Sequence, residues 1–192
     1  LSRLSRLGFI DTRRTTDPVR RRVRSRGVPS ALDGHEIFYT EDAVEASELI
    51  GEALAPNTLT LGELGAGGFA ASMNGVRFRE VSLLYLDLHV AATLDMHKCG
   101  GYYAVHMPMN GRAIGVVAGR EFEANTIRAL VTNPGDGLRI RFDHDSPQLI
   151  VRIEQDALER YLARQSGRMM THRLDFEPGF DLGGDAATRW HG

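Results

Sequence analysis

With 192 residues, 42 % of them apolar and 25 % charged, the chain has the composition of a globular protein that can bury an ordinary core. No run of eighteen apolar residues occurs, which excludes a transmembrane helix, and the opening residues lack the apolar stretch of a signal peptide. A single cysteine excludes an internal disulfide and fits the reducing cytoplasm expected as its location.

The net charge of -2 is unevenly spread. Residues 1–30 hold nine arginines against Asp11 and Asp17, or +7, which leaves -9 for the rest. Together with the period-free stretch that follows, residues 1–34 form an Arg-rich arm. Such an arm can bind nucleic acid, fold back on its own domain or remain a solvated terminus.

"EIFYT" (36–40) predicts a strand. Thr40 then has the character of a helix N-cap, with Glu41 and Asp42 suited to the first turn. Ala43, Ser47, Ile50 and Leu54 share a face at helical spacing, and Pro56 ends the helix. From Thr58 to Ile153 the period falls to two. "LTLGEL", "FAASM", "VRFRE", "LLYLDLHVAATL", "YYAVHMPM", "RAIGVV", "TIRALVT", "LRIRF" and "QLIVRI" predict strands. They are separated by turn signals at "MNG" (73–75 and 109–111), "CGG" (99–101), "NPGDG" (133–137) and "HDSP" (144–147). Many short strands at even spacing predict a mainly β chain, a sandwich or a barrel. In "LRIRF", Leu138, Ile140 and Phe142 fall on one face and Arg139 and Arg141 on the other, so one side is buried.

Helical spacing returns at "EQDALERYLARQSGR", predicting a helix over 154–166 with acidic residues at its start, basic ones at its end and Gly167 as its stop. "RLDFEP" reads as extended. "DAATRW" has the pattern of a helix opening at 184–192, which points to a further domain beyond it.

His97, Cys99, His106, Met107 and Met109 lie close together in sequence and are soft metal ligands by type. Their spacing argues against a metal. His89, His97 and His106 stand eight and nine positions apart, with no His-x-His, Cys-x-x-Cys or His-Glu-x-x-His. Strand alternation also puts Met107 and Met109 on the face opposite His106. No metal and no cofactor is expected. Cys99 has Lys98 and His97 beside it, which can lower a thiol pKa, but no positioned base accompanies it. "LGAGGF" (64–69) lacks the Gly-Lys-Ser/Thr ending of a phosphate loop and reads as a turn. Asp143 and Asp145 read as the solvated flanks of a turn. No catalytic residue is assigned.

Taken in order, "TEDAVEASELIGEALAPNTL", "GYYAVHMPMNGRAIGVVAGREFEA", "ALVTNPGDGLRIRF", "LIVRIEQDALERYLARQSGR" and "LDFEPGFDL…W" resemble a known family. It is the effector-binding, cupin-like domain of AraC-type transcription regulators, in the variant found in regulators of aromatic, nitrile and amine catabolism. The resemblance spans residues 36–190 and leaves the arm outside. It implies a jelly-roll barrel (a double-stranded β-helix) flanked by helices over 35–183. It also implies a linker helix from 184 toward a helix-turn-helix unit through which DNA would be bound, and which this sequence does not include. The implied role is to bind a small effector, to form a homodimer and to signal to that unit, without enzymatic activity and without a membrane partner. A metal-dependent cupin enzyme, an isomerase or dioxygenase, is the competing class.

By resemblance, the residue before the hairpin glycine faces the effector, which here is Asn110. Alternation then places Pro108, His106, Ala104 and Tyr102 on the same inner side, and Leu138, Ile140 and Phe142 inward from the following strand. The candidate effector residues are therefore Tyr102, His106, Asn110, Ile140 and Phe142, with His106 either a ligand contact or a core histidine. The family's use of helices after the barrel for dimerisation points to Leu158, Tyr161 and Leu162, as interface or as core.

Overall fold

The computed structural model describes residues 31–65, 67–167 and 173–183. Most of the Arg-rich arm and the expected linker helix at 184–192 lie outside the described residues. In chain order the elements are β1 (Glu36–Thr40), α1 (Ala43–Ala53), β2 (Asn57–Leu61), β3 (Ala71–Phe78), β4 (Val81–Asp87), β5 (Ala92–Met96) and β6 (Tyr102–Pro108). There follow β7 (Arg112–Val117), β8 (Arg120–Asn125), β9 (Arg128–Thr132), β10 (Leu138–Phe142), β11 (Gln148–Glu154), α2 (Gln155–Ser166) and β12 (Gly179–Asp181).

The strand pairing is nested. β4 pairs β11, β5 pairs β10, β6 pairs β9 and β7 pairs β8, all antiparallel. This is jelly-roll pairing, in which a long antiparallel ribbon wraps so that successive pairs alternate between two halves. One half reads β1-β3-β4-β11-β6-β9 and the other β8-β7-β10-β5-β2. The halves close over one core. It draws Leu84, Leu86 and Ile150 from the first and Leu94, Ile140 and Phe142 from the second. Contact between the halves is direct: a Cβ added at Gly115 of β7 would collide with the Leu130 side chain of β9, two strands away. The mainly β, cupin-like barrel with flanking helices is thus the observed architecture.

α1 forms because Ala46, Ile50 and Ala53 recur at helical spacing and are all buried. Its cap is Asp42, not Thr40. The Asp42 carboxylate accepts from the backbone N–H of Val44 at 2.8 Å and of Glu45 at 3.1 Å. Thr40 ends β1 instead; its hydroxyl bonds the Glu45 carboxylate and accepts from the Asp42 N–H. An Asx side chain two residues nearer the helix reaches both orphan donors, and Thr40 reaches neither. Replacing Asp42 by Ala should cost about 1 kcal/mol, read as a lower urea midpoint with unchanged slope. α1 is fixed to β2 by a side-chain clasp between Ser47 and Asn57.

Two further sequence expectations need correcting. "MNG" at 73–75 is not a turn: Asn74 and Gly75 sit inside β3, paired with Tyr85 and Leu84. Gly75 is there for room, since a Cβ would lie 2.6 Å from Ile37 Cδ1 and 2.7 Å from Leu84 Cδ2. "LLYLDLHVAATL" is two strands. The chain leaves β4 after Asp87, turns through His89 at φ 54° and enters the other half as β5. The sequence carries little signal for β8, because "REFEAN" alternates with few apolar residues and has one face in solvent.

After β11 the chain forms α2 and ends it at Gly167 in the left-handed region, φ 63°. No residue of α2 is fully buried. Residues 173–183 then cross the outer face of β6 and β9. β12 pairs β9, the Val131 N–H donates to the Pro178 carbonyl, and the Asn133 side chain grips both backbone groups of Phe176. Tyr103 is covered by this strap. Its hydroxyl donates to the Leu174 carbonyl, and its ring meets that of Phe176 edge-on at 5.3 Å.

Candidate functional site

The inner face of the barrel is set by the parity of β6. Tyr102, Ala104, His106 and Pro108 are buried, whereas Val105 and Met107 are only partly covered on the outer side. His106 sits mid-strand, opposite Ile150 of β11 and Leu130 of β9. Two residues along the same strands, Gln148 lies opposite Pro108, and Ala104 lies opposite both Thr132 and Arg152. His106 is therefore flanked diagonally by Gln148 on one side and Thr132 on the other, each within about 7–8 Å at the backbone.

These polar residues share one property. The buried atoms His106 Nδ1, Thr132 Oγ1, Gln148 Oε1 and Arg152 Nε have no hydrogen-bond partner in the protein. Buried polar atoms are normally satisfied, and leaving one unpaired costs about 1–3 kcal/mol. Their other atoms are held. The Gln148 amide donates to Ser146 O at 3.0 Å and Ser146 Oγ at 3.1 Å, which leaves its carbonyl oxygen as a fixed acceptor. The Arg152 guanidinium pairs with Glu154 at 3.0 Å, donates to Ala53 O at 3.2 Å and stacks 4.3 Å over the Tyr102 ring. The Ala53 contact joins the barrel mouth to the end of α1.

Burial lowers the His106 imidazole from 6.5 to about 4, so it is neutral at pH 7. Burial raises the Tyr102 phenol well above its usual value, reinforced by the neighbouring Cys99. Burial also pushes the Cys99 thiol up, which makes it inert rather than reactive. That thiol neighbours Thr132 but does not reach hydrogen-bonding geometry with its hydroxyl.

Of the residues read from the sequence as effector-facing, Tyr102, His106, Ile140 and Phe142 are brought together inside the barrel. Asn110 is not. The inward alternation ends at the turn after Pro108, and Asn110 is exposed there, its amide donating to the Asp145 carbonyl across the turn. Its role here is to tie two surface turns together. Thr132, Gln148 and Arg152 are functional candidates that the sequence reading lacks, although each shares parity with a buried aliphatic residue, Leu130 or Ile150. Leu158 and Leu162 of α2 are half-buried and Tyr161 is 59 % exposed, so none of the three belongs to the core.

His97 is exposed and paired with Asp95, Cys99 is buried beneath its turn, and His106 faces the barrel. Among the described residues no three His, Cys, Asp or Glu side chains converge on a point that could hold a metal ion. Asp143 accepts a 2.8 Å bond from Arg112 at the surface. A groove of about 250 Å³ between α1 and β2, walled by Val44, Ser47, Glu48 and Leu59, lies outside the barrel and contains none of the unpartnered atoms.

The profile of the AraC-binding-like domain matches residues 46–192. Comparison with curated proteins gives no match. Among solved structures, the AraC-like transcriptional activator CuxR is similar with a TM-score of 0.53 and 15 % identity, covering 68 % of this chain and 51 % of that one. The chain thus spans about half the length of that activator. The cupin domain of Schizosaccharomyces pombe Cnp3 gives 0.40 at 7 % identity, covering 53 % of this chain and 74 % of that one. The ethanolamine utilization protein EutQ of Salmonella typhimurium gives 0.38 at 11 %, covering 50 % and 94 %. The fold reading rests on the first of these and on the strand pairing.

Proposed function

The chain belongs to the AraC-binding-like domain family, and from that premise we propose that it is the sensing half of an AraC-type transcription regulator. It takes a small organic effector into the barrel, pairs with a second copy through α2, and signals to a C-terminal helix-turn-helix unit that contacts DNA. The observation that carries the effector part is the row of unpartnered polar atoms inside an otherwise apolar barrel. Ligand sites are mostly apolar with a few convergent polar groups, and a bound molecule supplies the missing partners. No catalytic role is proposed. The proposed location is the cytoplasm; among the described residues no helix is long and apolar enough to cross a membrane.

A thermal-shift screen with small alcohols, amides, acids and amines tests the sensing role. A molecule that binds only the folded state at a hundred times its Kd stabilises it by about 2.7 kcal/mol, a plain rise in Tm. No stabilisation by any compound would remove this reading.

The pairing role has its own test. α2 has no buried residue and leaves Tyr161 exposed beside the half-buried Leu158 and Leu162, so part of its apolar stripe is open to a partner. Tyr161→Glu should convert a sedimenting dimer to monomer with Tm nearly unchanged at low protein concentration. A wild-type monomer, or a variant that still dimerises, would refute the assignment.

A further inference from the structure

Resting on the sensing role just proposed, we infer that the barrel takes an uncharged effector. It carries a hydrogen-bond donor and a hydrogen-bond acceptor set apart along an apolar body. The argument is one of complementarity. Gln148 Oε1 can only accept, because its amide nitrogen is already held by Ser146. Arg152 Nε–H can only donate. A ligand that satisfies both must offer a donor and an acceptor. His106 Nδ1 lies between them, opposite Ile150, and Thr132 Oγ1 lies level with Arg152 two strands away; both accommodate either sense. Gln148 and Arg152 are four residues apart on β11, roughly 13 Å at the strand rise, so the polar groups are spread along the ligand.

Among the described residues the interior lacks a partner for a ligand charge. A carboxylate needs an unpaired cation, but the Arg152 charge is already matched by Glu154 at 3.0 Å. His106 is neutral at pH 7 and faces Ile150 and Leu130, with no carboxylate opposite it. An ammonium needs an unpaired carboxylate. Among the described residues the one carboxylate in the buried class is Asp87, which accepts from the backbone N–H of His89 and lies 3.4 Å from that residue's ring Nδ1. A ligand charge would be stripped of water with nothing to replace it. The apolar body is matched by Leu130, Ile140, Phe142 and Ile150, all buried on the inner face.

The test uses the whole chain and probes matched in skeleton but not in charge: benzyl alcohol and benzamide against benzoate and benzylamine, with the hexyl series as a second set. Each is titrated at pH 7.5 and read by Tm and by calorimetry. The neutral members should raise Tm by several degrees while their charged counterparts do not. Thr132→Val should raise the Tm of the unliganded protein by about 2–4 °C, because it removes an unpaired hydroxyl. The same change should weaken the neutral probes by about tenfold, the worth of one lost hydrogen bond. Stabilisation by benzoate or benzylamine equal to that by the neutral probes overturns the inference and leaves the sensing role intact. A Thr132→Val variant with lowered Tm and unchanged probe affinity also overturns it, since the hydroxyl would then be satisfied by buried water. Silence from every probe of every charge removes the sensing role as well.

Discussion

Lowering the pH from 7 to 4 should remove about 3 kcal/mol of folding stability through His106 alone. The imidazole is fully enclosed between β11 and β9, and burial lowers its pKa to about 4 against 6.5 in the unfolded chain. The unfolded state therefore binds the proton first. The contribution is fully present above pH 6.5 and is lost progressively as pH falls through that value toward 4. Below about 4 both states are protonated and the dependence on His106 ends. Other groups also titrate on the acid side, so the comparison is made against His106→Leu, which has no imidazole to charge. Urea unfolding at pH 7.0 and 4.5 should give a smaller stability drop in the variant, by about 2–3 kcal/mol. Equal drops in the two proteins would show that the imidazole is already charged or solvated in the native state.

The second large effect lies across the barrel. Leu130 is fully buried and its side chain fills the space where Gly115 has no Cβ. Truncating it to Ala should cost about 2–5 kcal/mol, the usual range for an enclosed leucine that leaves a cavity. Gly115→Ala should also destabilise, by about 1–3 kcal/mol, because the new methyl meets Leu130 in a close-packed interior. The double variant should be more stable than the sum of the two predicts, since the methyl then occupies part of the cavity. A cycle of four urea curves measures that coupling, and additivity within about 0.5 kcal/mol would mean that the two halves do not interlock here.

The packing at Leu130 and the titration of His106 trace back to sequence features of different legibility. Alternation in "LRIRF" places Leu138, Ile140 and Phe142 correctly because β10 has one dry face and one wet face, so the pleat is written in the residues. The same parity finds His106 and Tyr102. It fails at Asn110, where the strand has ended and alternation no longer governs direction. Gly75 shows the opposite failure. Asn-Gly is a turn signal when flanked by strands, but here the glycine is a spacer beneath Leu84 and Ile37, a fact that depends on strands distant in sequence. Thr132, Gln148 and Arg152 are illegible in the sequence for a related reason. A polar residue in an alternating strand is read as wet, and only its parity with Leu130 or Ile150 betrays that it points inward. The strap at 173–183 was legible as extended but not as a cover for Tyr103, because its bonds run to β6 and β9, some 40 to 70 positions earlier.

The central claim is that the inner face around His106 is where a small molecule binds. The direct measurement is the 15N chemical shift of the His106 ring nitrogens, recorded with and without a compound that raises the Tm. A ligand that partners Nδ1 should move that resonance and leave those of the exposed His97 and His144 in place. Clear stabilisation with the His106 resonances unmoved would put the binding site elsewhere and contradict the account.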